Sequence, residues 1–256
     1  MRNDARRRFA FGLTIEDTSA RLWYHDRDTL VCSTPFDVHI NWKELVHVFL
    51  ALGSAPHADL GFDITMRLVC MDAERRPVYE IDVVDVNGST RTFRTVCVLT
   101  DHSADYVYSR ASRVWKVVGL PCPGGTPSDN FFVLKDCWIE LDRRREHTSL
   151  ADLRSRLKGD PRLKHFLTVV TACVVQASTL DKNGINPIHG GRRETKKRKI
   201  IHRGGLLGPS TGGIFDPQLG NPAGFRTILD PSSPCRCHYR IVFEEIGTPV
   251  TDIKLC

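Results

Sequence analysis

Val78-Tyr79-Glu80-Ile81-Asp82-Val83-Val84-Asp85-Val86 and Thr90-Arg91-Thr92-Phe93-Arg94-Thr95-Val96-Cys97-Val98-Leu99 flank the dipeptide Asn87-Gly88. Both runs are rich in β-branched and aromatic residues, and Asn-Gly has ready access to positive φ, so the stretch reads as an antiparallel hairpin with a tight turn. Downstream, residues 112–118 (Ser-Arg-Val-Trp-Lys-Val-Val) and 131–136 (Phe-Phe-Val-Leu-Lys-Asp) read as two more strands. Pro121-Cys122-Pro123-Gly124-Gly125-Thr126-Pro127 joins them as a surface loop. Residues 144–157 place Leu150, Leu153 and Leu157 on one stripe of a charged helix. Residues 166–175 and 238–244 are then two buried strands.

Upstream, residues 9–15 and 20–24 alternate as a second hairpin around Glu16-Asp17-Thr18-Ser19. After Pro35-Phe36-Asp37 the period becomes helical, with Trp42, Leu45, Val46, Phe49 and Leu50 on one face and Gly53-Ser54 as the stop. Leu68-Val69-Cys70 is a weak strand. Residues 177–236 are rich in glycine, proline and charge, have almost no apolar periodicity, and read as a disordered insertion. The fold class expected is therefore α+β, with an antiparallel sheet and few helices.

With 256 residues and 41% hydrophobic content the chain has enough apolar surface for a core. Its apolar runs fall short of the roughly twenty residues that span a bilayer, and Met1-Arg-Asn-Asp-Ala-Arg-Arg-Arg8 lacks a signal peptide's apolar segment. A soluble, intracellular protein, cytoplasmic or nuclear, is expected, with no membrane partner. The nine cysteines mostly sit within apolar runs, and Cys235 and Cys237 lack a second pair at zinc-finger spacing, so neither a disulfide framework nor a metal site is expected. The net charge of +6 owes much to the N-terminal arginines and to Arg192-Arg193-Glu194-Thr195-Lys196-Lys197-Arg198-Lys199. That run reads as a solvated loop, or else as a nuclear localisation signal or phosphate contact. No aromatic residues interleave with it, and nucleic acid is not the partner expected.

Strand, turn, strand, lysine-bearing strand, helix, strand, strand is the order of a kinase small lobe. Lys135 at the end of Val133-Leu134 reads either as a phosphate ligand or as a lysine snorkelling from a strand end. Several blocks then resemble the fungal-type protein kinases. They are Phe11-Gly-Leu-Thr-Ile-Glu-Asp-Thr18, Leu22-Trp23, Ser109-Arg-Ala-Ser-Arg-Val-Trp115, Val133-Leu-Lys-Asp-Cys-Trp-Ile139, Arg145-Glu-His147, His165-Phe-Leu-Thr168, His238-Tyr-Arg-Ile-Val-Phe243 and Gly247-Thr-Pro249.

The resemblance implies a family-specific extension over residues 1–76, a kinase-like small lobe over 77–176, and a last strand and hinge over 237–256. It implies ATP as the ligand. Lys135 then grips the α- and β-phosphates, and Glu146 is its helix partner, with Asp152 the second choice and a plain solvated glutamate the bland reading of either. Val114 and Val133 cover the base or simply fill core; Glu244 to Gly247, Ile246 among them, form the hinge. Ser109 and Ala111 stand where the family's phosphate loop has glycines. Neither His-Arg-Asp followed by asparagine nor Asp-Phe-Gly occurs in the sequence, so the base and magnesium ligands of phosphoryl transfer are not found.

The expectation is a kinase-family chain that ends at Cys256 before a large lobe, without catalytic activity or magnesium of its own. The alternative is a pseudokinase-like module whose N-terminal hairpins and helix present a partner surface, with Trp23, Trp42 and Trp115 as anchors or as core; a protein partner on the exposed small-lobe face is also expected. Oligomerisation or poor solubility is expected from that exposed face.

Overall fold

The computed structural model describes residues 4–27, 30–85, 87–101, 109–175, 225–227 and 236–247. In chain order the elements are β1 (Ala10–Glu16), β2 (Ser19–His25), β3 (Leu30–Ser33), β4 (Phe36–Asp37), α1 (Trp42–Ser54), β5 (Met66–Met71), β6 (Pro77–Val84) and β7 (Thr90–Asp101). There follow β8 (Arg113–Leu120), β9 (Phe131–Glu140), α2 (Glu146–Arg156), a 3-10 turn (Pro161–His165), β10 (Val169–Val174), β11 (Phe225–Thr227) and β12 (Arg236–Phe243). The chain is thus α+β, with antiparallel sheets and two α-helices among the described residues.

The larger sheet has seven strands in the order β10-β12-β9-β8-β7-β6-β5. Its β6–β7 hairpin pairs Val84 with Thr90, so the turn is wider than Asn87-Gly88 alone suggests. Asp85 organises it, since its carboxylate accepts from the amides of Asn87 and Ser89 at 2.8 and 2.9 Å, while Gly88 supplies the positive φ of 82°. The connector after β8 is also pinned, because the Gly124 amide donates to both oxygens of buried Glu80, which also pairs with Arg94 at 2.7 Å.

Two apolar cores lie on opposite faces of this sheet, as period-two alternation requires. Tyr79, Ile81, Phe93, Trp115, Val117, Leu134 and Val242 form one. Val133, Cys137, Ile139, Tyr239, Ile241 and Phe243 form the other, against which Leu150 of α2 packs. Val170 and Cys173 of β10 pack on the first core, so the sheet curls until β10 meets β6. β12, covered on both faces, is buried from Cys237 to Phe243.

The smaller sheet runs β1-β2-β3-β11, with β4 on β2. The β1–β2 hairpin turns at Asp17 and Thr18, as the sequence suggests. β11 is a departure, since Phe225–Thr227 falls in the segment read as a disordered insertion yet pairs with β3. The rest of that insertion, including the basic run, lies outside the described residues apart from Arg236. α1 forms where the helical spacing places it, and its apolar stripe is largely exposed. Val48 is buried, whereas Trp42, Phe49 and Leu50 are 53%, 57% and 63% exposed. Helical periodicity reports which residues share a face, not what lies opposite it.

A buried polar cluster ties the N-terminal segment to the curled sheet. Arg240, fully buried, pairs with Asp63 and donates to Asp136 at 3.2 Å, the Thr65 hydroxyl at 2.6 Å and the Asp82 carbonyl at 3.1 Å. His238 pairs with the other Asp136 oxygen, and its ring stacks on Trp138 with centroids 4.9 Å apart. Burial pushes the carboxyls of Asp63 and Asp136 upward, but the charges of Arg240 and His238 outweigh it and hold both below the usual range.

Candidate functional site

β9 alternates faces, so Leu134, Asp136 and Trp138 point to the interior of the curl while Val133, Lys135, Cys137 and Ile139 point to the side covered by α2. Glu146 opens α2, where a carboxylate also meets the positive end of the helix. The two meet: Lys135 Nζ lies 2.7 Å from Glu146 Oε2, with both side chains partly open to solvent. Asp152, the alternative partner, is paired with Arg144 instead. Next to Glu146, the Tyr239 hydroxyl accepts from the His147 amide at 3.3 Å and meets His147 Nδ1 at 2.8 Å. Burial drives the Tyr239 phenol above its ordinary range and the His147 imidazole below its own, which favours the neutral form of each.

Val133 is buried beneath this face, and half-buried Val114 is the register partner of Lys135. The segment ahead of β8 is laid along the end of β9, where the Trp138 amide donates to the Arg110 carbonyl at 2.7 Å. Ser109 turns its hydroxyl back to accept from the Ala111 amide at 3.2 Å. Ala111 is buried with φ of 42°, in the left-handed region that glycine enters without cost. Beyond β12, Glu244 and Ile246 are exposed, and the Glu244 amide is already committed to the Thr168 carbonyl at 3.0 Å. Of the expected tryptophan anchors, Trp115 is core, Trp23 is half-buried with its indole N–H on Thr14, and Trp42 is exposed.

Arg154 was not singled out from sequence, and Thr168 and Glu245 entered only as members of a family block and of the expected hinge. Arg154 donates to the Phe166 carbonyl at 2.9 Å and to the Thr168 hydroxyl at 2.8 Å, and Thr168 in turn binds the Glu245 carboxylate. The buried cluster behind β9 did have a signal. Asp136, His238 and Arg240 interrupt apolar strand runs, and charge at such positions demands a partner.

A lysine from a central antiparallel strand is thus paired with the glutamate that opens the helix following that strand. The chain belongs to the fungal protein kinase family, whose family model matches residues 1–255. No curated protein and no solved structure matches it.

Proposed function

We propose that the α2-facing side of β9, with α2 and residues 244–247, is the adenine-nucleotide site of a kinase-like small lobe. The observation that carries this reading is the 2.7 Å pair between Lys135 and Glu146. In protein kinases a strand lysine and a helix glutamate form such a pair, and the lysine then reaches the nucleotide phosphates. The element order supports it too: β7, β8, lysine-bearing β9, α2, β10 and β12 repeat the strand, strand, strand, helix, strand, strand order of that lobe, with spatial order β7-β8-β9-β12-β10.

The residues fit ATP in kind. A flexible cation stands on the α2-facing side of β9, Val133 and Val114 offer apolar contact to a base, and residues 245–247 offer backbone groups to its edge. Bound ATP would supply the phosphates as an anionic partner for Lys135. Family members as a whole use ATP and magnesium, but the 256 residues contain no His-Arg-Asp or Asp-Phe-Gly, so nucleotide binding rather than phosphoryl transfer is the role assigned to them. The exposed Trp42, Phe49 and Leu50 face of α1 favours a second role as a protein-interaction module.

Thermal unfolding with and without ATP tests the nucleotide reading. At about 100 times Kd the native state gains about 2.7 kcal/mol, a rise of roughly 5 to 10 °C. Lys135→Ala abolishes that rise while melting cooperatively. A rise of equal size in Lys135→Ala, or none in the wild type, removes the site.

A further inference from the structure

We propose that Arg154, Thr168 and Glu245 are positioning residues that fix the separation between the Lys135–Glu146 pair and the hinge strand. The proposal rests on the nucleotide reading for its functional meaning, but its geometry stands apart from it.

α2 has no buried residue, so apolar packing alone does not determine where it sits. Polar links hold it at both ends. At the N-terminal end Glu146 meets Lys135 and His147 meets Tyr239. In the last turn Arg154 Nη2 reaches the Phe166 carbonyl at 2.9 Å and Thr168 Oγ1 at 2.8 Å. A threonine hydroxyl has one proton, and here it goes to Glu245 Oε1 at 2.5 Å, while the Thr168 amide donates to Glu245 Oε2 at 2.6 Å.

The chemistry of the chain is directional. A guanidinium donates to a hydroxyl, the hydroxyl donates to a carboxylate, and each step is charge-assisted at one end. Because the Glu244 amide also donates to the Thr168 carbonyl, Thr168 is bonded on its amide, carbonyl and hydroxyl, each time to the hinge segment. Rotation of α2 that withdraws Glu146 from Lys135 must therefore also pull Arg154 away from Thr168. A hinge that shifts on binding a base moves the same helix in return.

Hydrogen–deuterium exchange of the full chain, read by mass spectrometry, tests this without any ligand. Thr168→Val and Glu245→Gln are compared with wild type, and Thr168→Ser, which keeps the hydroxyl, is the rescue. The expected result is about tenfold faster exchange across the helical amides of residues 149–156 in Thr168→Val and Glu245→Gln, near-wild-type exchange in Thr168→Ser, and no change in the β6–β7 hairpin. Faster exchange confined to residues 166–168 and 245, with α2 unchanged, overturns the proposal. Titration of the same proteins with ATP separates the two ideas. A three- to tenfold loss of affinity in Glu245→Gln that tracks the α2 exchange supports both. Faster α2 exchange in a protein that binds no ATP upholds the positioning relay and removes the nucleotide reading alone.

Discussion

Replacing Arg240 with methionine removes an arginine that reaches both Asp63 and Asp136, and the structure gives the size of the loss. Arg240 and Asp63 are essentially inaccessible to solvent, and four acceptors each lose one donor: Asp63, Asp136, the Thr65 hydroxyl and the Asp82 carbonyl. Asp63 keeps the Thr65 amide and hydroxyl at 2.9 and 2.6 Å, but those dipoles do not neutralise a buried carboxylate. Breaking a buried pair costs about 3–5 kcal/mol, a large part of the ~5–15 kcal/mol that stabilises a typical domain.

The pH dependence carries the reasoning further. In the wild type the Asp63 and Asp136 carboxyls lie below their unfolded values, so their contribution is present above about pH 4 and is lost as pH falls through the folded pKa. Without Arg240, the burial that raises the Asp63 carboxyl is opposed by His238 and the Thr65 bonds alone, and its folded pKa is predicted to rise above the unfolded value. Such a group gives stability below the unfolded pKa and loses it as pH rises through the folded pKa. The deficit of Arg240→Met relative to wild type is therefore smaller at pH 5 than at pH 7. Urea unfolding followed by tryptophan fluorescence measures it, since Trp138 stacks on His238 inside the cluster. A deficit below about 1 kcal/mol, or one that does not change with pH, refutes the argument.

Ala111→Gly relieves a left-handed alanine and leaves stability unchanged or raised by up to ~1 kcal/mol, whereas Ala111→Val lowers it by more than that; calorimetric melting distinguishes the two. Phe49→Ser changes the unfolding free energy by no more than about 0.5 kcal/mol, because the ring is 57% exposed, and a loss of 3 kcal/mol or more would mean that α1 is covered. Glu80→Gln weakens the links to Arg94 and Gly124 and costs about 1–3 kcal/mol, with faster amide exchange at residues 121–127 as its local signature.

The architecture was legible wherever local chemistry decides it. Alternation in residues 78–86 and 90–99 marked the central hairpin, and the apolar runs around Lys135 and in residues 238–243 marked a strand and a buried strand. What sequence left open depends on long-range placement. The same periodicity that located α1 said nothing of whether another element meets its apolar stripe. β11 is three residues long and acquires its strand form by pairing with β3, so no periodic signal precedes it. At the candidate site, Lys135 stood out at the end of an apolar run, its helix glutamate came from family resemblance, and the 2.7 Å contact is something only the fold supplies. The links from Arg154 through Thr168 to Glu245 span 14 and then 77 residues, beyond the reach of any local pattern.

Isothermal titration of the intact chain with ATP, beside Lys135→Met and Glu146→Gln, tests the central claim most directly. The account predicts saturable binding to the wild type, weakening of about tenfold or more in Lys135→Met through loss of a charged phosphate contact, and a smaller loss in Glu146→Gln, where the cation remains but is no longer held. Equal affinity in the wild type and Lys135→Met, or no binding to a folded wild type, would contradict it.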